Sequence, residues 1–133
     1  MAELFYVTAK ARGVTQTPRK ISLVASVVRG RTVADALVIL EHTPKRAARP
    51  IKKLIESAKA NATHNHGLQE KDLLLDTITV TAGPRLKRYR PVARGQAHPY
   101  QKKTSHIHVV VSGTEKPKKK PVAKKTAAKK EDK

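Results

Sequence analysis

The residues most able to do chemistry lie in one run of the chain, from Gly83 to Lys103. This run holds four arginines and three lysines but no aspartate or glutamate. Arginine binds phosphate through two parallel hydrogen bonds and stacks on flat rings, whereas lysine supplies a point charge. Tyr89 and Tyr100 are interleaved with these cations, and each ring suits either a nucleobase or a cross-strand neighbour. The pattern indicates contact with a nucleic acid.

Two histidine pairs, His64 with His66 and His106 with His108, are the other residues with possible chemistry. No carboxylate lies within three residues of either pair, and the chain has no cysteine, so we expect no metal site. Phosphate-binding glycine loops and nucleophile motifs are absent from the sequence. We therefore predict a protein that is not an enzyme, with no cofactor and no small-molecule substrate.

The net charge of +19 on 133 residues divides into three zones. Residues 1–76 hold 13 Lys/Arg against 7 Asp/Glu, residues 77–114 hold seven against none, and residues 115–133 hold nine lysines against three acids. Such a field attracts polyanions and destabilises the free chain by self-repulsion. We predict one domain over 1–113 and a disordered Lys/Ala/Pro tail over 114–133.

No apolar run approaches the roughly 20 residues of a membrane span, and the start of the chain does not resemble a signal peptide. We therefore expect a cytoplasmic protein with no membrane partner.

The first half of the chain predicts a strand from Leu4 to Val14 and then three helices. Thr17 and Pro18 predict the first helix, through a hydroxyl cap and a proline at the first helical position, and Gly30 ends it. The expected buried positions of that helix are Ile21, Val24, Ala25 and Val28.

The second helix begins with a capping box formed by Thr32 and Asp35 and ends before Pro44. The third begins near Pro50 and ends around Gly67. Apolar residues at helical spacing form the inner faces of both helices: Val33, Leu37, Leu40, Ile51, Leu54, Ile55, Ala58 and Ala62.

The second half alternates with the period of strands. One strand covers 73–82, with Asp76, Ile78 and Val80 on one face, and another covers 105–111. Antiparallel pairing of these strands makes the basic run the far end of a long hairpin, about residues 83–104. A two-stranded ribbon of that kind has no core of its own, so it suits insertion into a polyanion. Charge does not separate RNA from DNA, and a DNA-compacting architectural protein with a histone-like tail is the alternative.

Four blocks of sequence resemble the large-subunit ribosomal protein twenty-two family. They are PRK from Pro18, VRG ending at Gly30, SAKANA from Ser57, and KRYRPVARG from Lys87, the last followed by KTSHI from Lys103. Their order and spacing make the resemblance specific over about residues 5–113.

The resemblance implies an α+β fold of three helices on a small antiparallel sheet, with a protruding hairpin. It implies a structural, non-catalytic component of the large ribosomal subunit that binds 23S-type rRNA and assists assembly. Its partners would be rRNA, neighbouring ribosomal proteins and the nascent polypeptide, and the hairpin tip would line the exit tunnel, where changes alter macrolide sensitivity.

The predicted sites follow from the basic pattern and from the resemblance. The predicted rRNA-binding residues are Lys10, Arg12, Arg19, Lys20, Arg85, Lys87, Arg88, Tyr89, Arg90, Arg94, Lys102, Lys103 and His106. The predicted tunnel-lining tip is Arg90, Pro91, Val92, Ala93, Arg94, Gly95, Gln96, Ala97 and His98.

Overall fold

A computed structural model describes residues 4–114, and these confirm the predicted α+β fold. Helices α1 and α3 pack on a three-stranded antiparallel sheet whose order is β1-β3-β2, and α2 packs mainly against α3. The elements are β1 (Leu4–Val14), α1 (Pro18–Val28), α2 (Val33–His42), α3 (Ala48–Ala60), β2 (Leu74–Pro91) and β3 (Ala97–Thr114). Thr114 is the last residue of β3, and the rest of the predicted disordered tail lies outside the described residues.

Helices α1 and α2 differ in how their first turns are capped. At α2, the Thr32 hydroxyl accepts a hydrogen bond from the Asp35 N–H (3.2 Å) and donates one to its carboxylate (2.7 Å), as predicted. At α1, Pro18 occupies the first turn, but the Thr17 hydroxyl makes no capping bond, so that prediction is wrong. The reason is local: the Thr17 carbonyl already accepts from the N–H groups of Lys20 and Ile21.

The core lies between the helices and the inner face of the sheet. α1 and α3 bury the apolar stripes that their spacing predicted, and Leu37 of α2 is only half-buried. From the sheet, β3 contributes Ile107, Val109 and Val111, which are fully buried on the central strand. The alternation predicted for this strand is confirmed.

The alternation predicted for β2 is wrong at one point. Leu75 and Ile78 are both buried although they are three residues apart, because the pairing register with β3 shifts between Leu75 and Thr77. A bulge of this kind places an extra residue in one strand. It turns Asp76 to solvent, away from the face of Ile78, and so keeps a carboxylate out of the core.

The turn between α1 and α2 lies at the end of the sheet where Leu4 pairs with Thr114, which we call the foot. There the N–H of Gly30 donates to the Leu75 carbonyl (2.9 Å) and the N–H of Val33 to the Leu73 carbonyl (2.9 Å). α1 therefore runs towards the foot and α2 runs away from it. The loop between α2 and α3 lies beside the second half of α1, where Thr43 and Lys45 share a cleft with Leu23 and Val27.

Across residues 4–114, none of the helices has the length and apolar character needed to cross a membrane.

Candidate nucleic-acid interface

The hairpin extends well beyond the three-stranded part of the sheet. The last pair between β1 and β3 is Val14 with Ser105, whereas β2 and β3 remain paired out to Pro91 and Ala97. Every residue from Pro84 to Lys103 is exposed. At about 3.3 Å per residue, the arm formed by residues 83–91 projects roughly 30 Å. The basic run thus stands away from the helices, as the hairpin prediction required.

A tight joint fixes where the hairpin leaves the domain. Thr104 is buried, and its hydroxyl donates to the Pro84 carbonyl across the two strands (2.7 Å). Next to it, the fully buried Ser105 hydroxyl donates to the Gln16 carbonyl (2.6 Å). A Cβ on Gly83 would stand 2.5 Å from Thr104 Oγ1 and 3.2 Å from the Thr104 carbonyl carbon. Only glycine permits this close approach, so the joint holds the ribbon at a defined position.

Each face of the hairpin carries three cations and one tyrosine. Directly opposed residues of an antiparallel pair project to the same side, so the observed register sorts the side chains into two faces. The Tyr89 face consists of Arg85, Lys87, Tyr89, Pro99, Gln101 and Lys103. The Tyr100 face consists of Leu86, Arg88, Arg90, His98, Tyr100 and Lys102.

The two tyrosines lie in different surroundings. The Arg90 guanidinium carbon lies 5.9 Å from the centre of the Tyr100 ring, a cation–π contact within one face of the ribbon. Tyr89 is 71% exposed and opposes Pro99 in the register. Tyr100 therefore packs against its own hairpin, while the ring of Tyr89 is open to a partner.

The tip is a short loop closed by one backbone hydrogen bond, from the N–H of Val92 to the carbonyl of Gln96 (2.9 Å). Arg94 and Gly95 both have left-handed backbones, with φ of 60° and 70°. Arg94 is the one non-glycine residue with this conformation among residues 4–114. The predicted tip residues all lie in or beside this loop, and all are exposed.

The remaining predicted cations fall into two groups on opposite sides of the hairpin root. Arg19, at the start of α1, lines a cleft of about 520 Å³ together with Arg85 and Lys103. Lys20 is exposed beside it. On the face of the sheet opposite the helices, a second concave surface holds Lys10, Arg12, His106 and His108 together with Thr79 and Thr81.

His106 has a structural contact that the sequence does not reveal. Its Nδ1 accepts a hydrogen bond from the N–H of Gly13 (3.1 Å), at the irregularity in β1 between Ala11 and Val14. His106 is half-buried, and Nε2 is the ring nitrogen without a hydrogen-bond partner in the described chain. Its role in RNA binding stays a prediction. Among residues 4–114, no three metal-ligating side chains lie close enough together to hold an ion.

The carboxylates lie away from the hairpin. The two ion pairs formed within residues 4–114 join Lys52 to Glu41 and Lys59 to Glu70, all in the helical part. Over the same residues, no hairpin cation lies within 4 Å of a carboxylate. The positive charge of the ribbon is therefore not neutralised by the described part of the chain.

Comparison with known families decides the interpretation. Residues 9–112 match the family described as Ribosomal protein L22p/L17e. The chain belongs to this family. Membership makes it a structural protein of the large ribosomal subunit in the cytoplasm, with rRNA and other ribosomal proteins as partners. The match spans the helices, the sheet and the whole hairpin, and it selects the ribosomal interpretation over the DNA-compacting alternative.

The sequence prediction missed one group of cations. Lys45, Arg46, Arg49 and Lys52 line a cleft of about 590 Å³ at the loop between α2 and α3. The sequence signal for this group was the basic run PKRAARPIKK, from Pro44 to Lys53, in which the cations are separated by alanine, proline and isoleucine.

Proposed function

We propose that the hairpin inserts between two segments of 23S-type rRNA and joins them, through one RNA contact on each face. The remaining predicted cations, Lys10, Arg12, Arg19 and Lys20, extend this contact from the hairpin root to the domain. The domain over 1–113 acts as a single RNA-binding unit that assists subunit assembly.

The observation that carries this proposal is the even division of cations between the two faces. A ribbon that lay along one RNA surface would need cations on one face only. Here both faces are exposed and each has three cations without a carboxylate partner. Because like charges along the ribbon repel, the free hairpin is destabilised, and phosphates on both sides relieve that repulsion.

Tyr89 and Tyr100 have separate roles in this arrangement. The open ring of Tyr89 stacks on an unpaired nucleobase, an interaction of about 1–3 kcal/mol in single-stranded RNA complexes. Tyr100 orients the Arg90 guanidinium towards phosphate through the cation–π contact.

The tip, Arg90 to His98, lines the nascent-peptide exit tunnel and contacts the nascent polypeptide. Three features support this placement: the tip is farthest from the domain, it consists mostly of small side chains, and one hydrogen bond closes it into a narrow loop. Changes at the tip then alter the tunnel and the macrolide response more than they alter assembly.

The experiment compares three matched triple variants. One removes the cations of the Tyr89 face (Arg85→Gln, Lys87→Gln, Lys103→Gln), and one removes those of the Tyr100 face (Arg88→Gln, Arg90→Gln, Lys102→Gln). The control removes three exposed cations of the helical part (Arg31→Gln, Lys53→Gln, Lys71→Gln). Each tagged variant competes with wild-type protein for incorporation into large subunits in cells.

Each face variant should lose incorporation by about tenfold or more, since one charge-assisted hydrogen bond alone contributes about 1.5 kcal/mol. The control should incorporate nearly as wild type, and circular dichroism should show all three folded, because every altered residue is exposed. Full incorporation of either face variant would show that RNA contacts one face only, and full incorporation of both would overturn RNA binding by the hairpin.

A further inference from the structure

The ring of His106 lies at the hairpin root, on the face of the sheet opposite the helices. On one side of it, β1 has a bulge in which Arg12 and Gly13 together oppose the single residue His106. On the other side, His106 pairs directly with Thr81 of β2. The ring therefore lies between a bulge on one neighbouring strand and a hydroxyl on the other.

The surrounding backbone fixes the orientation of this ring. Gly13 has a φ of 71°, and its N–H donates to Nδ1 of His106 (3.1 Å). The position of a Cβ on Gly83 is 3.3 Å from Cε1 of His106, so the ring lies directly against that glycine. Because Nδ1 accepts a hydrogen bond, it carries a lone pair, and the neutral ring has its proton on Nε2. His106 thus presents an uncharged donor in a fixed position.

The Nε2–H of His106 and the hydroxyl of Thr81 are two polar groups that the fold leaves unused. Neither has a hydrogen-bond partner within residues 4–114. Directly opposed residues of an antiparallel pair have Cβ atoms about 4.5–5.5 Å apart, so one ligand atom can reach both side chains. The threonine hydroxyl donates or accepts, whereas Nε2–H only donates. A hydroxyl group on the ligand fits this pair, because it accepts from the imidazole and donates to the threonine oxygen.

Two cations lie beside this pair on the same surface. Lys10 and Arg12 are exposed, and no carboxylate of residues 4–114 lies within 4 Å of either. Cations of this kind bind the phosphates of a polynucleotide. RNA carries a hydroxyl group next to its phosphates, the ribose 2′-hydroxyl, which DNA lacks. The combination of cations with an uncharged donor and a hydroxyl therefore matches the sugar–phosphate backbone of RNA.

We propose that Nε2–H of His106 and the hydroxyl of Thr81 bind a ribose 2′-hydroxyl of the rRNA, while Lys10 and Arg12 bind neighbouring phosphates. This inference rests on the proposed RNA-binding function. It adds what charge alone does not supply, a preference for RNA over DNA. The hairpin binds phosphate, whereas its root recognises the sugar.

Interference mapping in purified 23S-type rRNA tests this contact. The rRNA is transcribed with sparse random 2′-deoxy substitutions, and the molecules that bind the full-length chain are separated from those that do not. His106→Asn keeps an acceptor near the position of Nδ1 but loses the donor at Nε2, and Thr81→Val keeps the shape but loses the hydroxyl. The matched control is Thr77→Val, on the same face of β2 but outside this surface.

With the wild-type chain, we expect at least one nucleotide whose 2′-deoxy form is depleted from the bound fraction. The depletion should disappear with His106→Asn and with Thr81→Val, because no contact to that hydroxyl then remains to be lost. It should persist with Thr77→Val.

The other outcomes separate this inference from the proposed function. Depletion that persists in either His106→Asn or Thr81→Val, that disappears in Thr77→Val as well, or that is absent from the wild-type chain would overturn the ribose contact and leave RNA binding in place. Failure of the wild-type chain to bind the rRNA would overturn the proposed function itself.

Salt dependence distinguishes a contact to sugar from a contact to phosphate. His106→Asn should weaken binding to the same rRNA about three- to tenfold without changing the slope of log affinity against log salt, because an uncharged donor displaces no counterion. Arg12→Gln should reduce that slope by about 0.7–0.9, the contribution of one phosphate contact. A reduced slope in His106→Asn would show a charged ring on phosphate and would overturn the ribose contact.

The protonation of the ring can be measured without any variant. NMR signals of the ring nitrogens in the free full-length chain should show a proton on Nε2 of His106 and none on Nδ1. A proton on Nδ1 would mean that the ring does not accept from Gly13, and it would overturn the donor role of Nε2.

Discussion

The globular part and the hairpin of this chain obtain their shapes in opposite ways. In the globular part, helices cover one face of the sheet, and 23 apolar residues are buried. In the hairpin, no residue from Pro84 to Lys103 is buried, and the conformation depends mainly on the pairing between the two strands. The same two strands pass through both regions, so the difference comes from what covers them. Burial stabilises the first region, whereas the second has no buried side chain to stabilise it.

Charge follows the same division. All six carboxylates in residues 4–114 lie in the globular part, on Asp35, Glu41, Glu56, Glu70, Asp72 and Asp76. The hairpin has only cations. The globular part contains charges of both signs, whereas like charges along the hairpin repel one another.

Truncation of a buried residue in the globular part should give the largest loss in the free energy of unfolding. Ile55→Ala removes a side chain with 0% exposure from α3, and we expect a loss of about 2–5 kcal/mol in the free energy of unfolding. Leu86→Ala, at 42% exposure on the hairpin, should cost less than about 0.5 kcal/mol. Urea unfolding of the full chain measures both. Similar losses in the two variants would mean that Leu86 of the hairpin stabilises the chain as much as a buried core residue does.

The second largest loss in the free energy of unfolding should come from the joint between the two regions. Gly83→Ala forces a Cβ against the Thr104 hydroxyl and backbone, so we expect a loss of about 1–3 kcal/mol in unfolding free energy. It should also increase amide exchange in the hairpin, because the bond between Thr104 and Pro84 is displaced. The neighbouring exposed Ala82→Ser is the control and should leave both measurements unchanged. Normal exchange in the glycine variant would contradict a close-packed joint.

Two threonines at helix starts test how much a single capping bond stabilises the globular part. Thr32→Ala loses the capping bond to Asp35 and should cost about 1 kcal/mol in thermal or chemical unfolding. Thr17→Ala removes a hydroxyl that makes no capping bond, so its effect should be a few tenths of a kcal/mol at most. Equal losses would show that the Thr17 hydroxyl caps α1 in solution.

The smallest effect on global stability should come from the tip. Arg94→Gly relieves a left-handed backbone that costs an L-residue about 1 kcal/mol. Because the tip lies outside the core, we expect global unfolding to change by less than about 0.5 kcal/mol, while exchange of the Val92 amide slows. A large rise in global stability would mean that the tip and the core unfold as one unit.

Most of the fold was predictable because the spacing of the apolar residues agrees with the residues that begin and end each helix or strand. The alternation of Ile107, Val109 and Val111, and the Thr32 cap, identified β3 and α2 correctly. The bulge beside Asp76 was not predictable, since it depends on the register between strands that are far apart in sequence. The sequence also did not show that the Thr17 hydroxyl makes no capping bond, because this depends on the Lys20 amide donating to the Thr17 carbonyl instead.

The site was predictable where cations lie close together in sequence. The hairpin run stood out because it has no acid, but its division into two faces needed the observed register. The cations of the α2–α3 cleft also lie close together in sequence, but the run is interrupted by apolar residues, and its concave arrangement forms only where α2, the loop and α3 meet. The bond from Gly13 to His106 likewise joins residues 93 positions apart.

One strand gives the molecule a mechanical property. β3 is continuous for 18 residues, as the middle strand of the sheet at one end and as an arm of the hairpin at the other. A pull on the tip is carried by both arms of the hairpin, and it loads the bonds between β3 and β1 in shear, so many of these must rupture together. An outward force on the tip would thus be resisted along the whole paired length of β1 and β3.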